Sequence, residues 1–309
     1  MNRRDLLKSA GAAAAALTAS SFPFGWTARA ADPAKKRHLL VFTRSAGFQH
    51  SVVKIDPKSK TCLVDRVFTD LGKAHGFDVT CTKDGRVFLP ETLKKFDAIF
   101  FETTEDLTKE GGDGQPPMPA EGKKALLDFV AGGKGFVGSH CASDTFHSAE
   151  RGFKNQQPDK IDPYLKMVGG EFIRHGAQQK SWMRVADPKF PGVNGLKDFE
   201  LNEEWYSLKN FAPDLHVILV QDTTGMKGLD YERPNFPATW ARKHEKGRVY
   251  YTSMGHREDV WENKMFQQLL MGGLQWAFGD VPADVTPNLT DAAPKAGELP
   301  KPPPPKPKP

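Results

Sequence analysis

The segment GKGFVGSHCASDT, residues 133–145, carries the strongest fold signal in the chain. Its apolar run from Lys134 to Ser139 is bounded by turn residues, which is typical of a buried strand. Small residues follow directly, as in the sharp strand-to-helix turn called a nucleophile elbow, with Ser139, His140 or Cys141 at the apex. Such a turn exposes one side chain above the sheet edge, beside backbone N–H groups. The alternative is an ordinary helix N-terminus that Ser139 caps.

Similar short apolar runs precede this segment, and amphipathic stretches separate them. The predicted strands are 37–43, 77–82, 97–102 and 134–139. The predicted helices between them are 56–74 and 119–131. Alternating strands and helices predict a parallel sheet that is covered on both faces. Later extended runs are expected at 181–186, 216–221, 237–241 and 248–253. A closing helix is expected at 260–278. The fold class is therefore a doubly wound α/β domain with an antiparallel extension.

The two ends of the chain differ in composition from this body. Residues 1–30 contain twin arginines, a short apolar run and an Ala-Arg-Ala cleavage site, which predicts a signal peptide for twin-arginine export to the periplasm. The apolar run is too short for a spanning helix, so no stable membrane insertion is expected. Residues 31–36 are a short linker to the domain, residues 37–280. Residues 281–309 hold 10 of the 24 prolines, which predicts a disordered Pro/Lys-rich tail.

Charge and cysteine content exclude several classes of function. The chain has 309 residues and a net charge of +5, of which residues 1–30 contribute +3 and residues 281–309 contribute +1. A body this close to neutral has no surplus of cations to bind a row of phosphates, so nucleic acid is not an expected partner. Cys62, Cys81 and Cys141 form no C-x-x-C pair, which argues against a thiolate zinc site or a disulfide framework. Whether one pair of them forms a disulfide stays open.

Polar side chains follow the predicted strands, at the edge of the sheet where ligands bind in such folds. The loop after the first strand presents Arg44 and His50, and the third strand ends at Glu102. His256 follows the last strand, with Glu258 two residues further on. A carboxylate at this spacing can hold an imidazole in one tautomer while its other nitrogen acts as a base.

Two further clusters suit a sugar ligand. A glycine-flanked extended piece, residues 169–176, contains His175, and Glu204 directly precedes two aromatic residues. Sugars bind through hydrogen bonds to carboxylates and through the faces of aromatic rings. We therefore expect a small-molecule carbohydrate as the partner. The candidate substrate-binding residues are Arg44, His50, Glu102, Ser139, His175, Trp205 and Tyr206.

Seven segments, in order along residues 37–279, resemble the ThuA-like (trehalose utilisation) family. They are LLVFTRSAGFQHS (39–51), FFETTEDL (100–107), GKGFVGSHCASDT (133–145), YLKMVGGEFIRH (164–175), NEEWY (202–206), ATWARKHEKGRVYYTSMGH (238–256) and WENKMFQQLLMGGLQWAFG (261–279). The resemblance implies a flavodoxin-like three-layer sandwich among the class I glutamine amidotransferase-like folds. It also implies a role in the metabolism of disaccharides and their keto forms. It implies no mechanism.

The comparison with amidotransferases argues against glutaminase activity. Those enzymes carry a nucleophilic cysteine at the elbow, whereas this chain has His140 there and Cys141 one residue further on. The sequence predicts instead an exported carbohydrate enzyme, whether hydrolase, lyase or isomerase. We expect His140 or His256 as general base, Glu204 as acid or hydrogen-bonding partner, and Glu258 orienting His256.

Two alternatives stay open. The same groups are suited to bind a divalent metal, with His50, His140 and His256 as candidate ligands. In the second alternative, the protein is a non-catalytic carbohydrate-binding module of the cell envelope, in which aromatic residues hold a glycan. That platform would consist of Trp205, Tyr206, Trp182 and Trp240. Convergence of the three histidines favours catalysis. The sequence predicts no oligomeric state.

Overall fold

The computed structural model describes residues 36–150 and 152–302. The predicted signal peptide, residues 1–30, lies outside this part. The strands are β1 (His38–Phe42), β2 (Asp78–Thr82), β3 (Ala98–Phe101), β4 (Gly135–Ser139), β5 (Glu171–His175), β6 (Gln179–Val185), β7 (Phe199–Glu203), β8 (Tyr206–Lys209), β9 (His216–Asp222), β10 (Phe236–His244) and β11 (Gly247–Thr252). The α-helices are α1 (Leu63–His75), α2 (Pro90–Leu93), α3 (Gly122–Ala131), α4 (Pro163–Val168), α5 (Glu258–Glu262), α6 (Lys264–Phe278) and α7 (Leu289–Ala292).

A large sheet dominates the described part of the chain, with strand order β2-β1-β3-β4-β11-β10-β9-β6-β7. The first five strands in this order are mutually parallel. Their arrangement is the 2-1-3-4-5 order of flavodoxin-like folds. The remaining four continue the sheet with antiparallel pairing. Strands β5 and β8 form a separate antiparallel pair. The predicted α/β class with an antiparallel extension is therefore confirmed.

Two hydrophobic cores, one on each face of the sheet, make the three layers. Along β1, Leu39 and Val41 belong to one core while Leu40 and Phe42 belong to the other, and all four are fully buried. Successive side chains of a strand point to opposite faces, so a strand that is apolar throughout must be covered on both. Helices α1 and α6 pack in the first core, and α3 and α4 in the second.

Helix α1 begins later than its apolar periodicity predicts. The helix was expected from residue 56, but it starts at Leu63. Cys62 is the N-cap: its sulfur accepts from the Asp65 N–H, and the Asp65 carboxylate accepts from the Cys62 N–H. Upstream, Asp56 accepts from two backbone N–H groups in a turn, which keeps that segment out of the helix. Local capping thus overrides the longer apolar pattern.

The three cysteine thiols are free in the structure, which resolves the question that the sequence left open. Cys62 and Cys141 are buried and Cys81 is half-buried. Burial raises the pKa of Cys62 to about 12 and also raises that of Cys141. These thiols are therefore protonated at neutral pH and unreactive.

The C-terminal segment contradicts our expectation of a solvated tail from residue 281. The Asn288 side chain accepts a hydrogen bond from the Val217 N–H and donates one to the Val217 carbonyl. Ala293 and Ala296 are buried in the second core. Small apolar residues among the prolines provide this packing, which a count of prolines alone does not reveal. The Pro/Lys run 303–309 lies outside the described residues. Within the described part, no helix has the length and apolar character needed to cross a membrane.

Candidate metal centre

The turn after β4 has the geometry of an elbow, and His140 occupies its apex. His140 has φ of 36°, in the left-handed region that residues other than glycine rarely adopt. The chain then enters a short 3-10 helix, His140–Asp144. Backbone strain of this kind persists where the surrounding structure fixes one side chain in place. The structure therefore selects His140 among the three apex residues that the sequence allowed.

Four side chains from separate parts of the fold meet at this turn. They are His50 from the loop after β1, His140, Glu204 between β7 and β8, and His256 after β11. One donor atom from each lies within 4.8 Å of the donors of the others. The three imidazole centroids are 5.0, 5.0 and 5.2 Å apart. We call these four residues the donor cluster.

Backbone contacts fix the orientation of His140. Its Nδ1 lies 3.2 Å from the Ser253 carbonyl oxygen. Because a carbonyl only accepts hydrogen bonds, Nδ1 carries the proton and Nε2 presents a lone pair to the cluster. The Tyr206 ring packs against the imidazole, with centroids 3.9 Å apart. A histidine whose outer nitrogen donates to a carbonyl is the usual arrangement of a metal ligand.

A buried carboxylate that we did not predict, Glu203, positions the other two elements. One of its oxygens accepts hydrogen bonds from the N–H groups of Gly255 and His256, at 3.0 and 3.2 Å. The other accepts from the Glu204 N–H at 2.8 Å. Burial raises the pKa of Glu203 to about 7. Glu203 therefore ties the loop after β11 to the segment that carries Glu204.

Burial keeps two of the imidazoles neutral. Loss of solvent, together with the neighbouring histidines, lowers the pKa of His50 to about 2. Loss of solvent also lowers the pKa of His140 to about 4, although the nearby Glu204 carboxylate opposes the shift. Both rings are therefore uncharged at neutral pH, which is the form that binds metal.

Glu204 and His256 form the charged half of the cluster. Burial alone would raise the pKa of Glu204, but the two adjacent histidines outweigh it and the pKa is lowered. Burial would likewise lower the pKa of His256, but the Glu204 carboxylate outweighs it and the pKa is raised. The His256 Nδ1 lies 3.0 Å from Glu204 Oε2, without the alignment of a hydrogen bond. Glu204 is thus an anion facing three imidazoles.

The donor cluster contains three buried nitrogens that have no hydrogen-bond partner. They are His50 Nδ1, His140 Nε2 and His256 Nδ1. Buried polar atoms without partners are costly, and several together at one point indicate that another group satisfies them. Donors bound to one tetrahedral zinc ion lie about 3.4 Å apart, and all four donor atoms here lie within 4.8 Å of one another. Three imidazoles and one carboxylate therefore fit a divalent transition metal.

Three of the predicted residues lie beneath the cluster rather than in it. Glu102 is fully buried and accepts hydrogen bonds from the Ser139 hydroxyl and the Cys141 thiol. Burial raises the pKa of Glu102 well above its usual range. Arg44 is also fully buried, and its guanidinium donates to three backbone carbonyls of the loop 107–115. Arg44, Glu102 and Ser139 support the loops and have no access to a substrate, contrary to our expectation.

The structure also changes the roles of the remaining predicted residues. Trp205 is fully buried, and its indole donates to the Gln179 carbonyl, so it cannot stack on a sugar. Tyr206 is buried against His140. The carboxylate that faces His256 is Glu204, whereas Glu258 interacts with Ser51. His175 is half-exposed, with its Nδ1 3.3 Å from Glu204 Oε1.

The binding-module alternative receives no support from the aromatic residues. Trp240 is buried, as are Trp205 and Tyr206. Trp182 is exposed but packs against Arg184 on β6. A separate cleft of about 840 Å³, lined by Phe211 and other residues, shares no residue with the donor cluster. The three histidines converge instead at the donor cluster, an arrangement that favours catalysis.

Comparisons with known proteins agree with the observed fold. The chain is similar in structure to a ThuA-like protein from Bacteroides uniformis, with 21% identity and a TM-score of 0.55, over 80% of this chain and 94% of that one. A ThuA-like protein from Parabacteroides merdae gives 18% identity and a TM-score of 0.54, over 85% and 99%. No curated protein matches the sequence. The model of the ThuA family, described as trehalose utilisation, matches residues 38–277. Because this match spans most of the chain, the protein belongs to the ThuA family.

Proposed function

We propose that this protein is a metal-dependent enzyme of carbohydrate metabolism, with one divalent ion held by His50, His140, Glu204 and His256. The observation that carries the proposal is the convergence of three imidazole nitrogens, none of them in an aligned hydrogen bond, on one carboxylate in a buried site. Imidazole-rich sites favour zinc, iron or nickel over magnesium or calcium. The single carboxylate gives the loaded centre a net charge of +1.

A metal at this position would act as a Lewis acid. It would polarise a sugar carbonyl, or lower the pKa of a sugar hydroxyl or a bound water. An ion that expands its coordination beyond the four protein donors would offer a position to the substrate. His175 lies on the solvent side of the cluster, with its Nδ1 3.3 Å from Glu204 Oε1. Hydrolysis, elimination and isomerisation of sugars all use a Lewis acid and a neighbouring group that accepts or donates protons.

The substrate class follows from the family. The family description, trehalose utilisation, supports a disaccharide or a keto form of one as the ligand. Glutaminase chemistry is not part of the proposal, because the elbow residue is His140. The adjacent Cys141 is a buried thiol that donates a hydrogen bond to Glu102. Burial raises the pKa of that thiol, which removes the thiolate that a glutaminase requires.

Removal of the metal tests the reaction directly. Protein dialysed against a chelator is expected to lose all conversion of trehalose and its 3-keto derivative, measured by chromatography of the products. Readdition of a single divalent metal should restore conversion. Full activity in protein shown to be free of metal would contradict the proposal, and it would favour acid–base catalysis by the same histidines.

We also propose that the protein works outside the cytoplasm. Support comes from the twin-arginine motif at Arg3 and Arg4 and from the cleavage site at residues 28–30. Replacing both arginines by lysine should retain the chain in the cytoplasm with residues 1–30 uncleaved, as measured by fractionation and mass spectrometry. Replacing Arg66 and Arg86 by lysine is the matched control and should leave export unchanged. Normal export of the twin-lysine variant would contradict this localisation.

A further inference from the structure

An exposed aromatic ring lies next to the donor cluster. Phe48 is 70% exposed, whereas the other large exposed apolar residues of the described chain are between 37% and 42% exposed. Single exposed apolar residues are common on protein surfaces and need no explanation by themselves. Two further observations distinguish Phe48 from them: its immobilisation and its contact with a donor residue.

The backbone that carries Phe48 is fixed in place. The Thr104 hydroxyl donates to the Phe48 carbonyl at 3.0 Å and accepts from the Gly47 N–H at 3.2 Å. The Ala46 N–H donates to the Thr104 carbonyl at 3.1 Å. A Cβ at Gly47 would lie 2.4 Å from the Glu105 Cγ, so glycine permits this close approach. The ring is therefore held in solvent by a docked loop rather than by a flexible one.

The ring contacts the cluster through His50. The two rings meet edge to face, with centroids 5.0 Å apart and planes at 86°. His50 itself is buried and contacts both His140 and His256. Phe48 therefore lies on the solvent side of one donor, while the half-exposed His175 contacts another donor, Glu204. The exposed neighbours of the cluster thus include an apolar ring at His50 and a polar ring at Glu204.

We propose that Phe48 stacks on the apolar face of a sugar ring whose oxygens reach the donor cluster. This inference rests on the proposed function and specifies its substrate class as cyclic sugars in preference to open-chain polyols. A pyranose has one face of C–H groups and an edge of hydroxyls. The negative face of an aromatic ring attracts such polarised hydrogens. Phe48 is thus a substrate-binding residue that packs against the ligand His50 but is not itself a metal ligand.

Paired binding measurements on the full chain test this inference. Trehalose is the cyclic probe and sorbitol is the open-chain probe, each titrated by calorimetry into metal-loaded protein. Phe48→Ala is expected to weaken trehalose binding by about tenfold and to leave sorbitol binding and metal content unchanged. Phe48→Trp should bind trehalose within about threefold of wild type. Trp182→Ala, which removes another exposed aromatic, is the matched control and should bind as wild type.

Two results would overturn the role of Phe48. One is wild-type trehalose affinity in Phe48→Ala, and the other is an equal loss of trehalose and sorbitol affinity, which indicates general damage to the site. If metal-loaded wild type binds no trehalose, the stacking role and the carbohydrate substrate are both wrong. Metal content measured on the same samples reports separately whether the donor cluster holds an ion.

Discussion

Glu204→Gln is expected to reduce the metal content of the purified protein from about one divalent ion per chain to less than about a tenth of that. The substitution keeps the shape of the side chain and removes the anion that, in the described part of the chain, pairs with His140 and His256. Loss of an outer-shell partner alone typically costs 10- to 100-fold in metal affinity, so loss of the charged ligand should cost at least about 100-fold. Turnover should fall with metal content.

Two carboxylate variants control for this result. Glu200→Gln makes the same change on an exposed residue of β7 and should retain full metal content. Glu258→Gln should also retain the metal, because Glu204 rather than Glu258 faces His256. Metal content is measured by mass spectrometry, and circular dichroism verifies the fold. A metal-free Glu258→Gln variant beside a loaded Glu204→Gln variant would reverse the assignment.

Metal affinity should rise about tenfold for each unit by which the pH increases between pH 5 and 6.5, because one proton competes with the metal. Three ordinary imidazoles would release about two protons at pH 6, since their usual pKa is near 6.5. Here the pKa of His50 is about 2 and that of His140 about 4, so both are already neutral. The pKa of His256 is raised and that of Glu204 is lowered, so His256 alone carries a proton that the ion must displace.

The sign of this dependence follows from the competition: lower pH favours His256 with its proton and weakens metal binding. Calorimetric titrations in two buffers of different ionisation enthalpy count the protons released. We expect about one at pH 6. His75→Gln removes an exposed histidine at the end of α1 and should not alter the count. A release of two or more protons at pH 6 would contradict the neutral state of the two buried rings.

The sequence was sufficient for the fold because the strand signals are local. Residues 39–42 are apolar throughout and residues 135–138 carry no polar side chain, and a strand with that pattern must be covered on both faces. Turn residues mark the bounds of these segments, so the alternation of strands and helices was predictable. The start of α1 at Leu63 and the packing of Ala293 and Ala296 depend on capping and tertiary contacts, which apolar periodicity does not encode.

The site was predictable where a residue follows a strand. His50, His140 and His256 each lie just beyond a parallel strand, so the topology brings them to one sheet edge. Arg44 and Glu102 follow strands as well, yet they are buried as supports for the loops. Sequence position alone does not separate the two cases, because burial depends on how neighbouring loops pack.

The role of each residue in the site was harder to predict than which residues form the site. The adjacent pair Glu203 and Glu204 offered a signal, since neighbouring residues at a strand end point in opposite directions. Only the structure shows that Glu203 accepts backbone N–H groups while Glu204 faces the histidines. The assignment of Glu258 to His256 relied on spacing in sequence, whereas the true neighbour comes from another strand.

The most direct measurement is the metal content of the wild-type protein, purified without added metal or chelator and analysed by mass spectrometry beside Glu204→Gln. The structure predicts about one divalent transition-metal ion per chain in the wild type and almost none in the variant. Wild-type protein that carries no ion, and that takes up none from an excess of zinc, iron, nickel or manganese, would contradict the assignment of the donor cluster as a metal centre.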